Sequence, residues 1–487
     1  MKIESRDELD SLFREQGRSR WRVAATGAAE RTAKLRRLRK AIIGRREELF
    51  AAVMEDFRKP RMEGWMTEYF ATIAEIDHTI RHLRSWMRDR TVDGNLPLAS
   101  SRSFLRMEPK GRVLIMSPWN YPFQLLISPL SAAVAAGNVV IAKPSNKTPA
   151  TSAFSASLIA EVFPRDEVAV VEGPGSVLGD MLLELPFDHM FFTGSPKVGA
   201  RVGEAAARVH AGLTLELGGK SPTFLLEGAD LRDAAAKIVW GKGLNAGQTC
   251  IAPDYLLCPR ALVDAFAREA KAAVERFYGP DEDARRASPD LPRIVDRTAC
   301  GRLKSLVDDA VARGARLVVG GVFDIDERYA APTILAGVAP DMAIMSEEIF
   351  GPILPVLAYD SLAEAIEFVR ARPKPLALYV FGRERRAIRR VLDETTSGSA
   401  CVNNLIVQIT NSEVPFGGVG MSGTGNYHGW YGFRTFSHER NVMKQGPLNL
   451  IGFLHPPYRG RIQRLSVRLL ECVTRMSARS RRADSGR

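Results

Sequence analysis

The run VLIMSPWNYPFQLLISPLSAAVAAGNVVIA, Val113 to Ala142, carries no formal charge over thirty residues. That exceeds the ~20 apolar residues a bilayer-spanning helix needs. Pro118, Pro122, Pro129, Gly137 and Asn138 interrupt it, which makes a membrane span the weaker reading. Val113 to Met116 and Val139 to Ala142 read instead as short strands buried on both faces, joined by a helix near Phe123 to Ala136. Short apolar runs linked by a helical crossover are the pattern of a parallel sheet covered on both sides.

The alternation continues outward. A helix near Thr148 to Val162, strands near Val168 to Val171 and His189 to Phe192, a helix from about Lys197 and a strand at Leu213 to Leu217 predict a doubly wound α/β domain. A second series follows, with a helix at Leu231 to Gly241, a strand near Tyr255 to Cys258, a helix near Leu262 to Phe277 and further units to about Ser399. Two such series predict two α/β domains facing across a cleft. The first ninety residues read as a helical lead-in. Ala400 to Pro457 is Gly-rich and irregular, with aromatics that include Phe416 and Tyr427, and its composition suits a linker or an oligomerisation element.

The chain has 487 residues, 45% hydrophobic and 25% charged, which excludes disordered, collagen-like and coiled-coil classes. The net charge of +12 invites a nucleic-acid reading. From Arg459 onward, however, nine Arg face only Glu471 and Asp484, a net +7 that leaves +5 on the first 458 residues. The body holds no basic stripe interleaved with aromatics, so no nucleic-acid partner is expected. The five cysteines form no CxxC and no Cys/His cluster, so neither a disulfide framework nor a metal site is expected and the compartment is read as reducing. Met1 to Asp10 is charged throughout and lacks the apolar core of a secretory signal. In the tail, Ile462, Leu465, Leu469, Val473 and Met476 would share one helical stripe edged by Arg461, Arg464, Arg468 and Arg475. Such a helix can lie on an anionic membrane, dock on a partner subunit or fray.

Several motifs carry chemistry, each weak by itself. In Asn245-Ala-Gly-Gln-Thr-Cys250 a cysteine follows a Gly-containing turn, open to a ligand as a nucleophile, although a lone cysteine is more often structural. Glu216-Leu-Gly-Gly-Lys220 ends a predicted strand, where the carboxylate could serve as a general base or simply as an ion-paired residue. Ser117-Pro-Trp-Asn120 sits at the carboxyl end of the first parallel strand, and the Asn120 amide could donate to an oxyanion or form a turn. Phe192-Thr-Gly-Ser-Pro-Lys-Val-Gly199 runs from strand into helix, where terminal NH groups can face a phosphate. Gly418-Val-Gly-Met-Ser-Gly423 has dinucleotide-loop spacing but neither follows a convincing strand nor opens a helix, so it reads as a decoy. Lys143-Pro-Ser and Glu348-Ile-Phe-Gly-Pro352 complete the series.

In their order along the chain, SPWN, KPS, FTGS, ELGGK, GQTC, EIFGP and PFGGVG resemble the aldehyde dehydrogenase superfamily from about Trp65 to Lys444. Val239-Trp-Gly-Lys242, Gly425-Asn-Tyr-His-Gly429 and Thr435-Phe-Ser-His438 are similar to its class 3 branch of fatty and aromatic aldehyde dehydrogenases. The resemblance implies NAD(P)-dependent oxidation of a medium- or long-chain aliphatic or aromatic aldehyde to the acid. Cys250 would attack the carbonyl, Asn120 would hold the oxyanion, and Glu216 would activate the water that hydrolyses the thioester. Lys143 would bind the adenosine ribose, Gly194 and Ser195 the pyrophosphate, and Glu348 the nicotinamide ribose with Phe350 beside it. Ser117, Trp119, Asn146, Gly199 and Leu217 are assigned to the same cofactor cleft, and Tyr69 and Tyr121 to the substrate channel. The implied layout is an NAD(P)-binding domain over 1–92 and 108–216 and a catalytic domain over 217–399. A bridging element over 93–107 and 400–458 and the basic tail over 459–487 complete it, in a cytoplasmic homodimer with membrane contact open through the tail.

Two departures stand out. Many members carry Glu three residues after the ribose-binding lysine, whereas this chain has Asn146 and Lys147, so NADP is expected beside NAD. Gln408 stands where class 3 relatives often have His, which leaves substrate preference open. The alternatives are a cofactor-independent thiol esterase, which would not need the KPS and FTGS loops, and a non-catalytic scaffold, which would not need Cys250, Glu216 and Asn120 together. Glu216 itself weighs against a phosphorylating or CoA-acylating relative.

Overall fold

The uncharged run is two strands and a helix. Arg112–Met116 and Val139–Lys143 pair in parallel, and Gln124–Ala136 connects them. The description of the computed structural model covers residues 1–94, 100–173 and 175–447, with 455, 456, 458, 460, 461, 464–468 and 471 beyond them. The connecting helix is buried on all sides, which explains an apolar pattern without a polar face. Its ends are closed by charged residues of the helical lead-in. Glu68 Oε2 accepts the NH groups of Phe123 and Gln124 at 3.2 and 3.0 Å, taking the place of a local N-cap. At the other end Arg31 Nη1 donates to the carbonyls of Ala135 and Ala136 at 3.2 and 2.6 Å. Burial lowers the Arg31 guanidinium to about 10, against the opposing charge of the neighbouring Glu30.

The first sheet has six strands in the order Gly423–Thr424, Gly212–Leu217, His189–Gly194, Arg112–Met116, Val139–Lys143 and Val168–Val170. Five are parallel, and the Gly423–Thr424 edge runs antiparallel, with Gly423 opposite Glu216. Arg112–Met116 is the first of the parallel strands, and the chain passes to one side of it and later to the other. The segments after Met116 and Gly194 therefore flank a topological switch point, where open α/β sheets bind ligands. A core of Leu9, Leu12, Leu114, Ile141, Leu178, Leu182, Phe192 and Leu217 packs on this sheet. Each fully buried Leu or Phe contributes roughly 1.5–3 kcal/mol.

The second sheet has seven strands in the order Arg316–Val319, Thr333–Ala336, Ile353–Tyr359, Tyr255–Pro259, Pro222–Leu225, Ala377–Phe381 and Ser399–Val402, parallel except at the Arg316–Val319 edge. Two doubly wound α/β sheets are thus present, as the alternation predicts. A separate three-stranded sheet joins Arg90–Val92, Ser101–Pro109 and Ser437–Gln445. It belongs to a second compact unit, Met87–Glu108 with His438–Arg487, while Met1–Trp86 and Pro109–Ser437 form the first. The irregular stretch expected from Ala400 is accordingly divided, and it contains a nine-residue strand. Of the tail stripe, Leu465 is exposed within a helical stretch over 464–468, while Ile462, Leu469, Val473 and Met476 lie outside the described residues. No helix among the described residues is long and apolar enough to cross a membrane.

Candidate active site

Cys250 is reached through an unusual turn. Asn245 and Ala246 have left-handed backbone with φ of 53° and 51°, followed by Gly247 at 71°. Left-handed non-glycine residues cost about 1–3 kcal/mol each and persist where their surroundings hold them. Here Asn245 Nδ2 donates to the carbonyls of Asn120 at 2.9 Å and Gln248 at 3.1 Å, and the Asn245 NH donates to Glu63 at 2.9 Å. Gln248 is tied to the carbonyls of Asn245 and Arg293 and to the NH of Val295. At Gly247 any Cβ would run into the Gly351 carbonyl, so the cysteine turn and the loop of Glu348 and Phe350 approach backbone to backbone.

Two cavities meet at the thiol. One, of about 190 Å³, is lined by Trp119, Asn120, Gly194, Ser195, Glu216, Leu217, Cys250, Glu348 and Phe350 among others. The other, of about 240 Å³, is mainly apolar and includes Phe70, Tyr121, Trp240, Cys250, Ile406 and Phe416. Cys250, Leu125, Phe416 and Tyr427 border both. The half-buried Cys250 thiol is pushed up to about 12, first by burial and then by the Glu348 and Glu216 carboxylates. Glu216 is 3% exposed with neither carboxylate oxygen hydrogen-bonded, and burial raises it well above the usual range. A desolvated, unpartnered carboxyl in a cleft is a strong candidate for proton transfer.

Asn120 is fixed from behind. Its carbonyl accepts from Asn245 Nδ2 and, at 3.3 Å, from Lys59 Nζ. Lys59 and Glu68 are both fully buried and paired at 2.6 Å. Tyr121, next in sequence, shares a 2.5 Å hydrogen bond with Thr249 and has the Lys59 ammonium 4.6 Å from its ring centre. Glu348 is held by its loop. Lys220 donates to Asp254 and to the carbonyls of Ile344 and Glu347, Asp254 accepts the Ile349 NH, and the Glu348 carboxylate fills the place of a side chain at Gly218. Burial, then the like charge of Asp254, raises Glu348 to about 8. Phe350, with φ of 51°, packs edge-on against Trp119 at 5.2 Å.

The remaining expected residues fall into three groups. Gly194 and Ser195 lead into the helix Pro196–Arg208, whose Ser195 makes no side-chain cap bond, and Gly199 lets that helix close on Leu217. Lys143 and Ser117 are buried at the carboxyl ends of their strands, Lys143 lowered by burial and Ser117 with an unpartnered hydroxyl. Asn146 is exposed, and the neighbouring Lys147 is paired with Asp296 at 2.7 Å. Tyr69 does not line the channel. Gly64–Phe70 is a π-helical segment, whose wider turn directs Tyr69 onto Phe50 at 6.0 Å and brings Phe70 to the cavity instead. Gln408 stands behind the apolar wall, within 3.4 Å of Tyr379 and Ser399 hydroxyls. Phe416 and Tyr427, read from composition as linker aromatics, wall both cavities.

The family profile described as "Aldehyde dehydrogenase family" matches residues 5–442. Aldehyde dehydrogenase family 3 member A2 of Mus musculus is 42% identical over 85% of this chain and 84% of its own length. A solved substrate-bound state of Staphylococcus aureus AldH shares 39% identity, covers 95% of this chain and 99% of that one, and superposes with a TM-score of 0.90. A Mycobacterium tuberculosis aldehyde dehydrogenase solved with NAD+ shares 26% identity over 90% of each chain, with a TM-score of 0.82. With the two sheets and the cleft at Cys250 in place, these similarities establish that the chain belongs to the aldehyde dehydrogenase family and is similar to its class 3 members.

Proposed function

We propose that this chain oxidises a medium- or long-chain aliphatic or aromatic aldehyde to its acid with NAD or NADP, through Cys250 and Glu216. The observation that carries the assignment of roles is the position of the Cys250 thiol where two cavities meet, with the unpartnered buried carboxyl of Glu216 in the one that also holds Glu348. The apolar cavity would admit the aldehyde, lined by Tyr121 and Phe70. The residues of the other cavity fit part of a dinucleotide: an uncapped helix start at Ser195 and the Glu348 carboxylate suit phosphate and ribose groups, while the buried Lys143 ammonium, proposed for the adenosine ribose, lies outside this cavity's lining. When bound, the nicotinamide supplies a hydride acceptor and a positive charge that offsets the two carboxylates.

Cys250 Sγ, once deprotonated, adds to the carbonyl carbon. The negative charge then falls on the former carbonyl oxygen, where the Asn120 amide and the Cys250 NH can donate. Loss of hydride leaves a thioester on Cys250. Glu216 takes a proton from water as that water attacks the thioester, and the acid departs with the thiol restored. Burial disfavours both anions, and the Glu216 carboxylate raises the Cys250 thiol further, so ionisation of one opposes ionisation of the other.

No carboxylate at position 146 repels a 2′-phosphate, which supports use of NADP beside NAD. A kcat/KM ratio favouring NAD by more than about a hundredfold, ~2.7 kcal/mol, would refute that part. A homodimer and a membrane-surface contact through the tail from Arg459 complete the proposal; size in solution and liposome binding after deletion of 459–487 test them. The central test is reduced-cofactor absorbance with a panel of aldehydes and either cofactor. Reduction that requires intact Cys250 supports the function, and reduction that persists in Cys250→Ala overturns it.

A further inference from the structure

On the far side of the apolar cavity's wall, three metal-ligating side chains converge that the reaction does not use. His78 and His82 lie four residues apart on one face of the helix Ala71–Trp86, and Glu413 approaches from the segment that follows the Val407–Thr410 turn. One ligand atom from each lies within 4.8 Å of the other two, and His78 Nδ1 is 3.7 Å from Glu413 Oε1. The imidazole rings are 4.4 Å apart, and Trp86 stacks on His82 at 5.7 Å and fixes its plane. His82 Nδ1 is 3.0 Å from the His78 carbonyl. A donor bond there leaves Nε2 with its lone pair, the arrangement in which one ring nitrogen is anchored to a backbone carbonyl and the other binds a metal.

We propose that His78, His82 and Glu413 form a binding site for a borderline divalent transition-metal ion, with Zn2+ as the probe. Two imidazoles and a carboxylate are a donor set suited to such an ion, with further positions left to water. The consequence is mechanical. Ser412, beside Glu413, lines the cavity, and its hydroxyl donates to Glu75 of the same helix at 2.9 Å. An ion shared by Glu413 and the two histidines would add a second tether, tying the wall over 406–416 to the helix. The site stands whether or not the cavity is the aldehyde channel.

Zn2+ titration by calorimetry into full-length Cys250→Ser protein tests this without binding at the reactive thiol. One equivalent should bind at micromolar concentration or below. His82→Ala and Glu413→Gln should each weaken binding at least about tenfold. Glu413 has a largely exposed side chain, so its substitution does not threaten folding. Co2+ in the same protein should give d–d bands without thiolate charge transfer. Amide exchange over 406–416 should slow with one equivalent of Zn2+, and not in Glu413→Gln. Absent binding, affinity unchanged in both variants, or a thiolate band would overturn the site; binding without slowed exchange would overturn the tether.

Discussion

Replacing Glu216 by Gln keeps the side-chain shape and removes only the titratable oxygen, so it separates the two halves of the reaction. A positioned general base contributes typically 10²–10⁴-fold, about 2.7–5.4 kcal/mol at 1.36 kcal/mol per decade. If Glu216 serves thioester hydrolysis alone, the first turnover should reduce cofactor at close to the native rate. Steady-state turnover should then fall by that factor. Stopped-flow absorbance reads both phases in one trace. Stability should change as well. The carboxyl keeps its proton in the folded protein to a higher pH than in the unfolded chain, so the unfolded state binds fewer protons between the two values and native stability falls as pH rises through that window. Gln lacks this liability, and the variant should gain on the native protein by up to about 1.4 kcal/mol per pH unit across the window, seen as a Tm difference that widens with pH. Loss of the first-turnover burst would refute the assignment, because the carboxyl would then act at or before hydride transfer. An unchanged steady-state rate would refute it from the other side.

With Cys250 raised to about 12, kcat/KM should climb with pH through and above neutrality, and with Glu216 raised, a kcat limited by thioester hydrolysis should climb too; a flat kcat/KM profile would contradict the first shift and a flat kcat the second. Lys59→Met strands the buried Glu68 carboxylate and should cost about 3–5 kcal/mol by denaturant unfolding, of which Lys59→Met with Glu68→Gln should recover part. Gly247→Ala forces a Cβ into the Gly351 carbonyl and should lower both Tm and turnover, checked by calorimetry and cofactor reduction. Phe70→Ala should raise KM for long-chain aldehydes more than for short ones, while Tyr69→Phe leaves the ratio unchanged, as the side each faces requires.

Much of the architecture is written in local patterns. Val113 to Met116 and Val139 to Ala142 stand out because a strand covered on both faces tolerates no charge; the glycine of GQTC stands out because two backbones meet there, and the first glycine of ELGGK because the Glu348 carboxylate takes the place of its side chain. Ser437–Gln445 escapes such reading, since SHERNVMKQ is largely polar and becomes a strand only beside Ser101–Pro109. Tyr69 and Phe70 were separable only once the π-helical turn had set their directions. The left-handed backbone at Asn245 and Ala246 is imposed by distant partners such as Glu63 and Asn120. Lys59 and Glu68 look like surface charges nine residues apart, and nothing local announces that they are buried beneath Asn120. The GxGxxG spacing at Gly418 to Gly423 reflects the tight edge pairing with the strand of Glu216, which is why it misleads as a phosphate loop.

A thiol reached from two unlike passages also has two unlike ways of being poisoned. An oily electrophile arriving by the Phe70 side and a small polar one arriving by the Glu348 side would end on the same sulfur, yet leave different doors open. The first adduct would leave the Glu348 passage free, so modified enzyme should still retain dinucleotide on a column. The second would block it. Among the described cysteines Cys258 and Cys300 are buried and Cys401 is only half-covered. Selective labelling of this enzyme would therefore be governed by the shape of the reagent more than by its reactivity.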